Sequence, residues 1–247
     1  MTFGFVLGIK HALDADHLIA VATMVSERKG FFGSTMVGTF WGIGHTLSLL
    51  VVGCVVVFLH LQIPEKLALA MEFAVAAMLI LLGMNVLWKL RKGETVHMHV
   101  HTHHGHVHIH PHAHPFKTPH EHGDEISHHE KLPSRILQKL MRHVAEGKRP
   151  ILIGMVHGMA GSAALMLVVL ATIQTTSLAL MYIAVFGIGS IGGMVVMSTV
   201  VGLPFVFTAK KTIALNRIVR GMAGVLSVVF GLLLAWQIGI GSGLLLP

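Results

Sequence analysis

The chain has 247 residues, of which 53% are hydrophobic and 12% are charged, and its mean hydropathy is +0.74. Soluble domains carry about 25% charged residues, so this composition excludes an ordinary soluble enzyme and a chain that is disordered throughout. The net charge of +7 does not indicate a nucleic-acid partner, because basic residues also collect in the cytoplasmic loops of membrane proteins. Hydrophobic runs of about 18 residues or more are typical of membrane-spanning helices. The sequence predicts an all-α membrane protein with six such helices, at 3–25, 36–60, 66–88, 150–172, 177–207 and 218–240.

The first predicted span contains a cluster of ionisable side chains. Each charge at the bilayer centre costs roughly 2.5–3.5 kcal/mol, so the cluster needs partners or an ion. On a regular helix His11 and Asp14 share a face, and His17 flanks Asp14. Asp16 points elsewhere unless the helix is broken. Imidazole with carboxylate suits Ni, Co, Zn or Cu rather than Mg or Ca, so we interpret the four residues as a transition-metal site, with a purely structural polar network or a proton relay as the alternatives.

Two further histidines and one acid lie inside predicted spans. His45 follows Trp-Gly-Ile-Gly in span two, and His157 lies early in span four among glycines that allow helices to approach closely. We expect both histidines at the metal site, and a plain helix–helix contact is the alternative for each. Glu72 is interpreted as a helix-end charge, and an ion pair with Lys66 or Lys10 is the alternative.

The segment 91–149 has a different composition, with 14 histidines between His97 and His129. Histidine at alternate positions cannot build a core, and the prolines at 111, 115 and 119 prevent a long helix. The composition predicts a disordered, low-affinity metal-binding loop, and a spacer without a metal role is the alternative. The candidate loop ligands are His97, His99, His101, His103, His104, His106, His108, His110, His112 and His114.

Lys and Arg are distributed unevenly over the predicted loops. Two lie at 28–29, ten at 89–149 and four at 210–220, whereas Lys66 lies on the opposite face and Lys10 lies inside the first span. Because basic residues collect on the cytoplasmic side, this asymmetry predicts that the loops after spans one, three and five are cytoplasmic. Both termini are then outside, in a multi-pass protein of the cell (inner) membrane.

Short motifs in the first three spans recur in the last three. The recurring pairs are Gly8-Ile-Lys-His11 with Gly154-Met-Val-His157, Trp41-Gly-Ile-Gly-His45 with Phe186-Gly-Ile-Gly-Ser190, and Gly83…Trp88 with Gly231…Trp236. Since each half has an odd number of spans, the second half must run inverted in the membrane. Inverted repeats with a site near the midplane are the architecture of many secondary transporters. We predict one three-helix repeat at 1–90, the His-rich loop at 91–149, and a second repeat at 150–247.

The string from His11 to His17, His-Ala-Leu-Asp-Ala-Asp-His, matches the HX4DH signature of the nickel/cobalt transporter family (NiCoT). Gly44-His45-Thr46 and the run from His157 to Ser162 resemble the short, six-span UreH-like members of that family. The resemblance implies selective permeation of Ni(II) or Co(II), with the four polar residues of the string most important for transport. The longer members have eight spans and further acidic signatures, from which this sequence departs.

Together these features predict a transporter of Ni(II) or Co(II) rather than an enzyme, with the metal as transported substrate and no organic cofactor. The sequence has no P-loop motif, so a secondary, non-ATP mechanism is expected. Uptake is favoured because a membrane potential drives a dication inwards. The alternatives are efflux, with the His-rich loop collecting metal, and a membrane-anchored metal sensor or chaperone. Expected partners are the lipid bilayer and divalent metal ions, with a metallochaperone, nickel-enzyme maturation proteins and a second copy of the chain as open alternatives.

Overall fold

The computed structural model describes residues 2–28, 30–59, 63–93, 97–103, 106–112, 147–160, 173 and 175–244. The helices in this part are α1 (Thr2–His11), α2 (Ala15–Ser26), α3 (Gly30–Leu59), α4 (Glu65–Arg91), α5 (described over 147–159), α6 (Thr176–Lys211) and α7 (Ile213–Trp236). A π-helical turn, Gln237–Gly241, continues α7. Two strands, β1 (His97–His103) and β2 (His106–His112), lie between α4 and α5.

The continuous helix predicted over 3–25 is not observed, because the chain breaks between α1 and α2. The amides of Leu13 and Asp14 bond to carbonyls three residues back, which ends α1 in a tight turn. Asp14 then takes an extended conformation, with φ −61° and ψ 148°, and is the N-cap of α2. The Asp14 side chain makes no capping hydrogen bond to α2, because its carboxylate accepts from His11 instead.

Four of the described helical segments are long and apolar enough to cross a membrane: Gly30–Leu59, Glu65–Arg91, Thr176–Ala209 and Ile213–Gly241. At about 1.5 Å per residue each exceeds the roughly 30 Å hydrocarbon core. The α1–α2 pair occupies the first predicted span, with α2 as a shorter apolar helix. Residues 161–172 of the fourth predicted span lie outside the described residues.

The surface of the helices is apolar and many of their contacts are small or polar. Leu81 is 70% exposed and Trp236 is 64% exposed, whereas Ser34, Ser190 and Ser227 are buried. In a soluble protein, large apolar side chains are mostly buried and serines are mostly exposed. Lipid tails can cover exposed leucine and tryptophan, and small residues allow helix backbones to approach closely in a membrane.

Glycines bring the helix backbones together at equivalent places in the two halves of the chain. A Cβ added to Gly8 of α1 would collide with the carbonyl oxygen of Phe186 in α6, and one added to Gly154 of α5 would collide with that of Trp41 in α3. Two more contacts have an equivalent in the other half of the chain. The contact of Gly44 with Ile151 is equivalent to that of Gly189 with Phe5, and the contact of Gly83 with Gly224 is equivalent to that of Gly231 with Ala76. The motifs that recur in the sequence are therefore also points of close helix packing.

Two short segments of the His-rich loop are described, and there β1 and β2 form an antiparallel pair. The disorder expected for this loop stays a prediction. The histidines there alternate with residues such as Val and Ile, whose β-branched side chains favour strands. The register aligns His97 with His112, His99 with His110, His101 with His108, and His103 with His106. The predicted loop ligands His104 and His114 lie outside the described residues, as does 115–146.

Candidate metal centre

His11 is the last residue of α1 and lies buried at the helix break. Its Nδ1–H donates to Asp14 Oδ2 at 2.8 Å, because an ionised carboxylate only accepts. In the neutral ring Nε2 is then the acceptor, and His45 Nε2–H of α3 donates to it at 3.2 Å. The carboxylate therefore orients His11 so that its lone-pair nitrogen points towards a second helix, which is the arrangement that carboxylates impose on metal-binding histidines.

Asp16 joins two more histidines through both of its carboxylate oxygens. Oδ1 accepts from the backbone amide of His17 at 2.9 Å and from His17 Nδ1–H at 3.0 Å. Oδ2 accepts from Nε2–H of His157 in α5 at 2.9 Å. Among the described residues, His17 Nε2 and His157 Nδ1 have no hydrogen-bond partner, and neither has Nδ1 of His45. Each of these three histidines thus keeps one ring nitrogen available to a ligand.

The four histidine rings form one compact cluster. The ring centroid of His17 lies 4.4 Å from that of His11, 4.1 Å from that of His157 and 5.2 Å from that of His45. The cluster contains two sets of three possible ligands, and within each set the ligand atoms all lie within 4.8 Å of one another. The sets are His11–His17–His45 and Asp16–His17–His157, and His17 belongs to both. Imidazole binds divalent transition metals at about 2.0–2.1 Å, so opposite ligands of one ion are about 4 Å apart. Small side-chain movements would bring either set onto a single ion.

Two aromatic rings from neighbouring helices pack against the histidine cluster. Trp41 of α3 lies 5.3 Å from His17 and 5.6 Å from His157 between ring centroids. Phe186 of α6 stacks on His11 at 5.7 Å. Both aromatic residues are 1% exposed. They restrict the rotation of the histidines and keep water from one side of the site.

All six membrane residues predicted for the metal site come together here: His11, Asp14, Asp16, His17, His45 and His157. Asp16 was expected to point away on a regular helix, and the break between α1 and α2 brings it into the cluster. The aromatic walls were not predicted, although Trp41 and Phe186 occupy equivalent positions in the recurring motif. Coordination of a metal by these residues stays a prediction.

An ion-pair cluster at the far end of α2 was missed by the sequence analysis. The Glu27 carboxylate accepts hydrogen bonds from Asn85 Nδ2 at 2.8 Å, Lys89 Nζ at 3.0 Å and Arg149 Nη1 at 3.1 Å. Glu27, Lys89 and Arg149 also line a cavity of about 200 Å³. The contact joins α2, α4 and α5, and the only sequence signal for it was an acid in a strongly basic face of the protein.

A second cavity, of about 190 Å³, lies directly beside the metal centre. Asp16 and His157 line it together with Glu72 of α4 and Gln237 of the π-helical turn. Within the described chain Glu72 forms no ion pair, so the alternative of a pairing with Lys66 or Lys10 is not observed. The reason is that Glu72 faces this cavity rather than the lysines.

Comparison with known proteins decides the family of the chain. The profile of the NicO family, described as "High-affinity nickel-transport protein", matches residues 1–238. The chain belongs to this family. It is also 33% identical over 244 residues to the urease accessory protein UreH of Bacillus sp. (strain TB-90), a match that covers 99% of this chain and 93% of that relative. No solved structure matches the chain.

Membership of the NicO family confirms the resemblance seen in the sequence. It confirms a membrane transporter of nickel and not an enzyme, with the metal ion as substrate. The long apolar helices agree with a protein that lies in the lipid bilayer. The nitrogen-rich cluster at the break between α1 and α2 is the described part of this NicO protein that best fits a transition-metal ion.

Proposed function

We propose that this NicO protein takes up Ni(II) or Co(II) by a secondary mechanism through the His/Asp cluster at the helix break. One observation carries the proposal: buried histidines from α1, α2, α3 and α5 converge there, and three of them keep a ring nitrogen without a partner within the described chain. Buried polar atoms normally find partners, so their absence here indicates a place for a ligand.

The chemistry of the cluster suits a divalent ion of this class. Neutral imidazole nitrogens suit Ni(II) and Co(II), whereas Mg and Ca select oxygen ligands. The carboxylates of Asp14 and Asp16 would balance the two positive charges of the ion. The helix is broken at the site, as the discontinuous helices of secondary transporters are.

The architecture that we propose is six spans in two inverted three-helix repeats, at 1–90 and 150–247. The recurring glycine contacts support it, since α1 meets α6 as α5 meets α3. A two-fold relation of this kind places residues from both halves around one site, and His11 and His157 occupy equivalent positions. Rocking of one repeat against the other would open the site alternately to each side.

The orientation follows from charge. With the basic loops in the cytoplasm, both termini lie outside and the His-rich segment 91–149 lies inside. Inward movement of a dication is then driven by the membrane potential, at about 4.6 kcal/mol per 100 mV for two charges. The loop would receive the imported ion at low-affinity sites. The similar UreH protein is named for urease, so we propose that the recipients include nickel-enzyme maturation proteins.

Nickel accumulation in metal-limited cells tests this proposal. Wild type should accumulate more labelled Ni(II) than empty cells, and His11→Ala should abolish the gain. The control is Leu13→Ala, which truncates an exposed side chain in the same turn and should leave accumulation unchanged.

A variant lacking 97–129 separates the remaining functions. Retained uptake supports a path through the membrane cluster. Accumulation below that of empty cells, restored by His11→Ala, would establish efflux instead. A sensor or chaperone is indicated if only the loop deletion has an effect.

A further inference from the structure

We propose that Glu72 and Gln237, with Asp16 and His157, form an outer binding site that captures a hydrated divalent cation before it reaches the histidine cluster. The proposal rests on the proposed transport function and adds a residue pair that lies outside the HX4DH string. Glu72 is the eighth residue of α4, and Gln237 begins the π-helical turn after α7. The two are brought together at the wall of the 190 Å³ cavity.

The charges that line the two cavities differ in sign. Among the described residues, two carboxylates and no Lys or Arg line the cavity at Glu72: its walls are Asp16, Glu72, Val75, His157, Ala160, Leu234, Gln237 and Ile238. The cavity at Glu27 is lined by three cationic side chains, those of Arg28, Lys89 and Arg149, against one carboxylate. A cation is therefore attracted to the first cavity and repelled from the second.

The acidic cavity leads directly to the metal centre. Asp16 and His157 line the cavity and also belong to one of the two metal-binding sets. His157 is 1% exposed, and its Nδ1 has no hydrogen-bond partner in the described chain. A lining residue that is buried and keeps a ring nitrogen without a partner is an observation, independent of the two acids, that points to a ligand.

The ligand chemistry also changes along this path. Glu72 and Gln237 offer oxygen atoms, which suit an ion that keeps part of its water shell. The next ligands inwards are the buried nitrogens of His17 and His11. The π-helical turn at Gln237 supports the assignment, because such irregular turns occur frequently at functional sites. The cavity is lined by Glu72 and Val75 from the first half of α4, away from Lys89 and Arg91 in its last turn. In the proposed orientation this is the outer side.

The test is the nickel concentration that gives half-maximal uptake, with rates normalised to the amount of protein in the membrane. Glu72→Gln removes the charge and keeps the shape, and it should raise this concentration about threefold to tenfold while the maximal rate changes little. Glu65→Gln is the matched control, because Glu65 is an exposed acid on the same helix and lies outside the cavity. It should behave as wild type.

Two further variants protect the test against a folding defect. Glu72→Asp keeps the charge and should keep the wild-type value. Gln237 is exposed and lines the same cavity, so Gln237→Glu returns a carboxylate to its wall and should restore affinity in the Glu72→Gln background. An unchanged value in Glu72→Gln, or an equal rise in Glu65→Gln, would overturn the proposal. So would equal defects in Glu72→Asp and Glu72→Gln, because shape rather than charge would then matter.

Equilibrium binding of radioactive Ni(II) to the purified full chain in lipid nanodiscs distinguishes this proposal from the transport function. If wild type shows no uptake but Glu72→Gln still weakens binding, the outer site stands and the proposed function fails. If uptake occurs and binding and half-saturation are both insensitive to Glu72→Gln, the outer site fails alone.

Discussion

Three buried histidines in this NicO protein each leave a ring nitrogen without a partner in the described chain, at His17 Nε2, His45 Nδ1 and His157 Nδ1. An unsatisfied buried polar atom costs about 1–3 kcal/mol, so the folded state gives up stability at this place. The other nitrogen of each ring is held by a hydrogen bond, which fixes the direction of the free lone pair. The arrangement is that of a site organised before its ligand arrives.

His157→Gln separates a metal ligand from a structural contact. A glutamine amide can still donate to Asp16, but it cannot offer the lone-pair nitrogen that Nδ1 provides. We therefore expect normal protein amounts in the membrane and at least a tenfold loss of nickel uptake, measured by metal accumulation per protein. Near-normal uptake would mean that His157 only positions Asp16.

The two aspartates at the helix break differ in the number of hydrogen bonds that they accept. Asp16 accepts three hydrogen bonds and contacts two histidines, whereas Asp14 accepts one from His11 and is half-exposed. Loss of a carboxylate that orients a metal-binding histidine typically costs about 10- to 100-fold in affinity. We expect Asp14→Asn to raise the half-saturating nickel concentration within that range, and Asp16→Asn to abolish uptake. The reverse order of severity would contradict the assignment.

At the scale of helices, the glycine contacts set how closely α1 and α5 approach their neighbours. Gly8→Ala and Gly154→Ala would each force a methyl group onto a backbone carbonyl, which cannot move as a flexible side chain can. Overpacking of this kind costs about 1–3 kcal/mol. Because the two contacts are equivalent, we expect similar decreases in the thermal unfolding midpoint in detergent.

Gly192→Ala is the control for this pair, since a Cβ there would meet nothing within 4 Å. It should leave the midpoint unchanged. A loss of stability at only one of Gly8 and Gly154 would argue against equivalent packing in the two halves of the chain.

The first predicted span shows which features of the site could be predicted from the sequence and which could not. Its polar cluster identified all four candidate ligands, because ionisable groups in an apolar run are costly enough to need an explanation. The break between α1 and α2 was not predicted, since the run is apolar on both sides and one Asp can be an N-cap or a ligand. The roles of Glu27 and Glu72 depend on contacts between distant helices, which no local pattern in the chain encodes.

At the scale of the whole molecule, the two cavities lie at opposite ends of the path and differ in how they are closed. The acidic cavity reaches the metal centre through Asp16, whereas the basic cavity is bordered by Glu27 and by two of its donors, Lys89 and Arg149. Glu27 is 16% exposed, and it ties α2 of the first half to α5 of the second through Arg149. In the proposed orientation this ion pair lies at the cytoplasmic ends of the helices, and we propose that it helps to close that side.

Glu27→Gln should shift the equilibrium towards the state that is open to the cytoplasm. The ion pairs are partly exposed and are worth about 1 kcal/mol or less each, so the shift should be modest, about twofold to fivefold in population. Ile153 lines the basic cavity and is 8% exposed. A cysteine placed there in a Cys54→Ser background should react correspondingly faster with a membrane-impermeant maleimide in inside-out vesicles. Glu65→Gln in the same background should not change the labelling rate, and equal rates in the Glu27→Gln protein and its parent would show that the ion pair does not close this side.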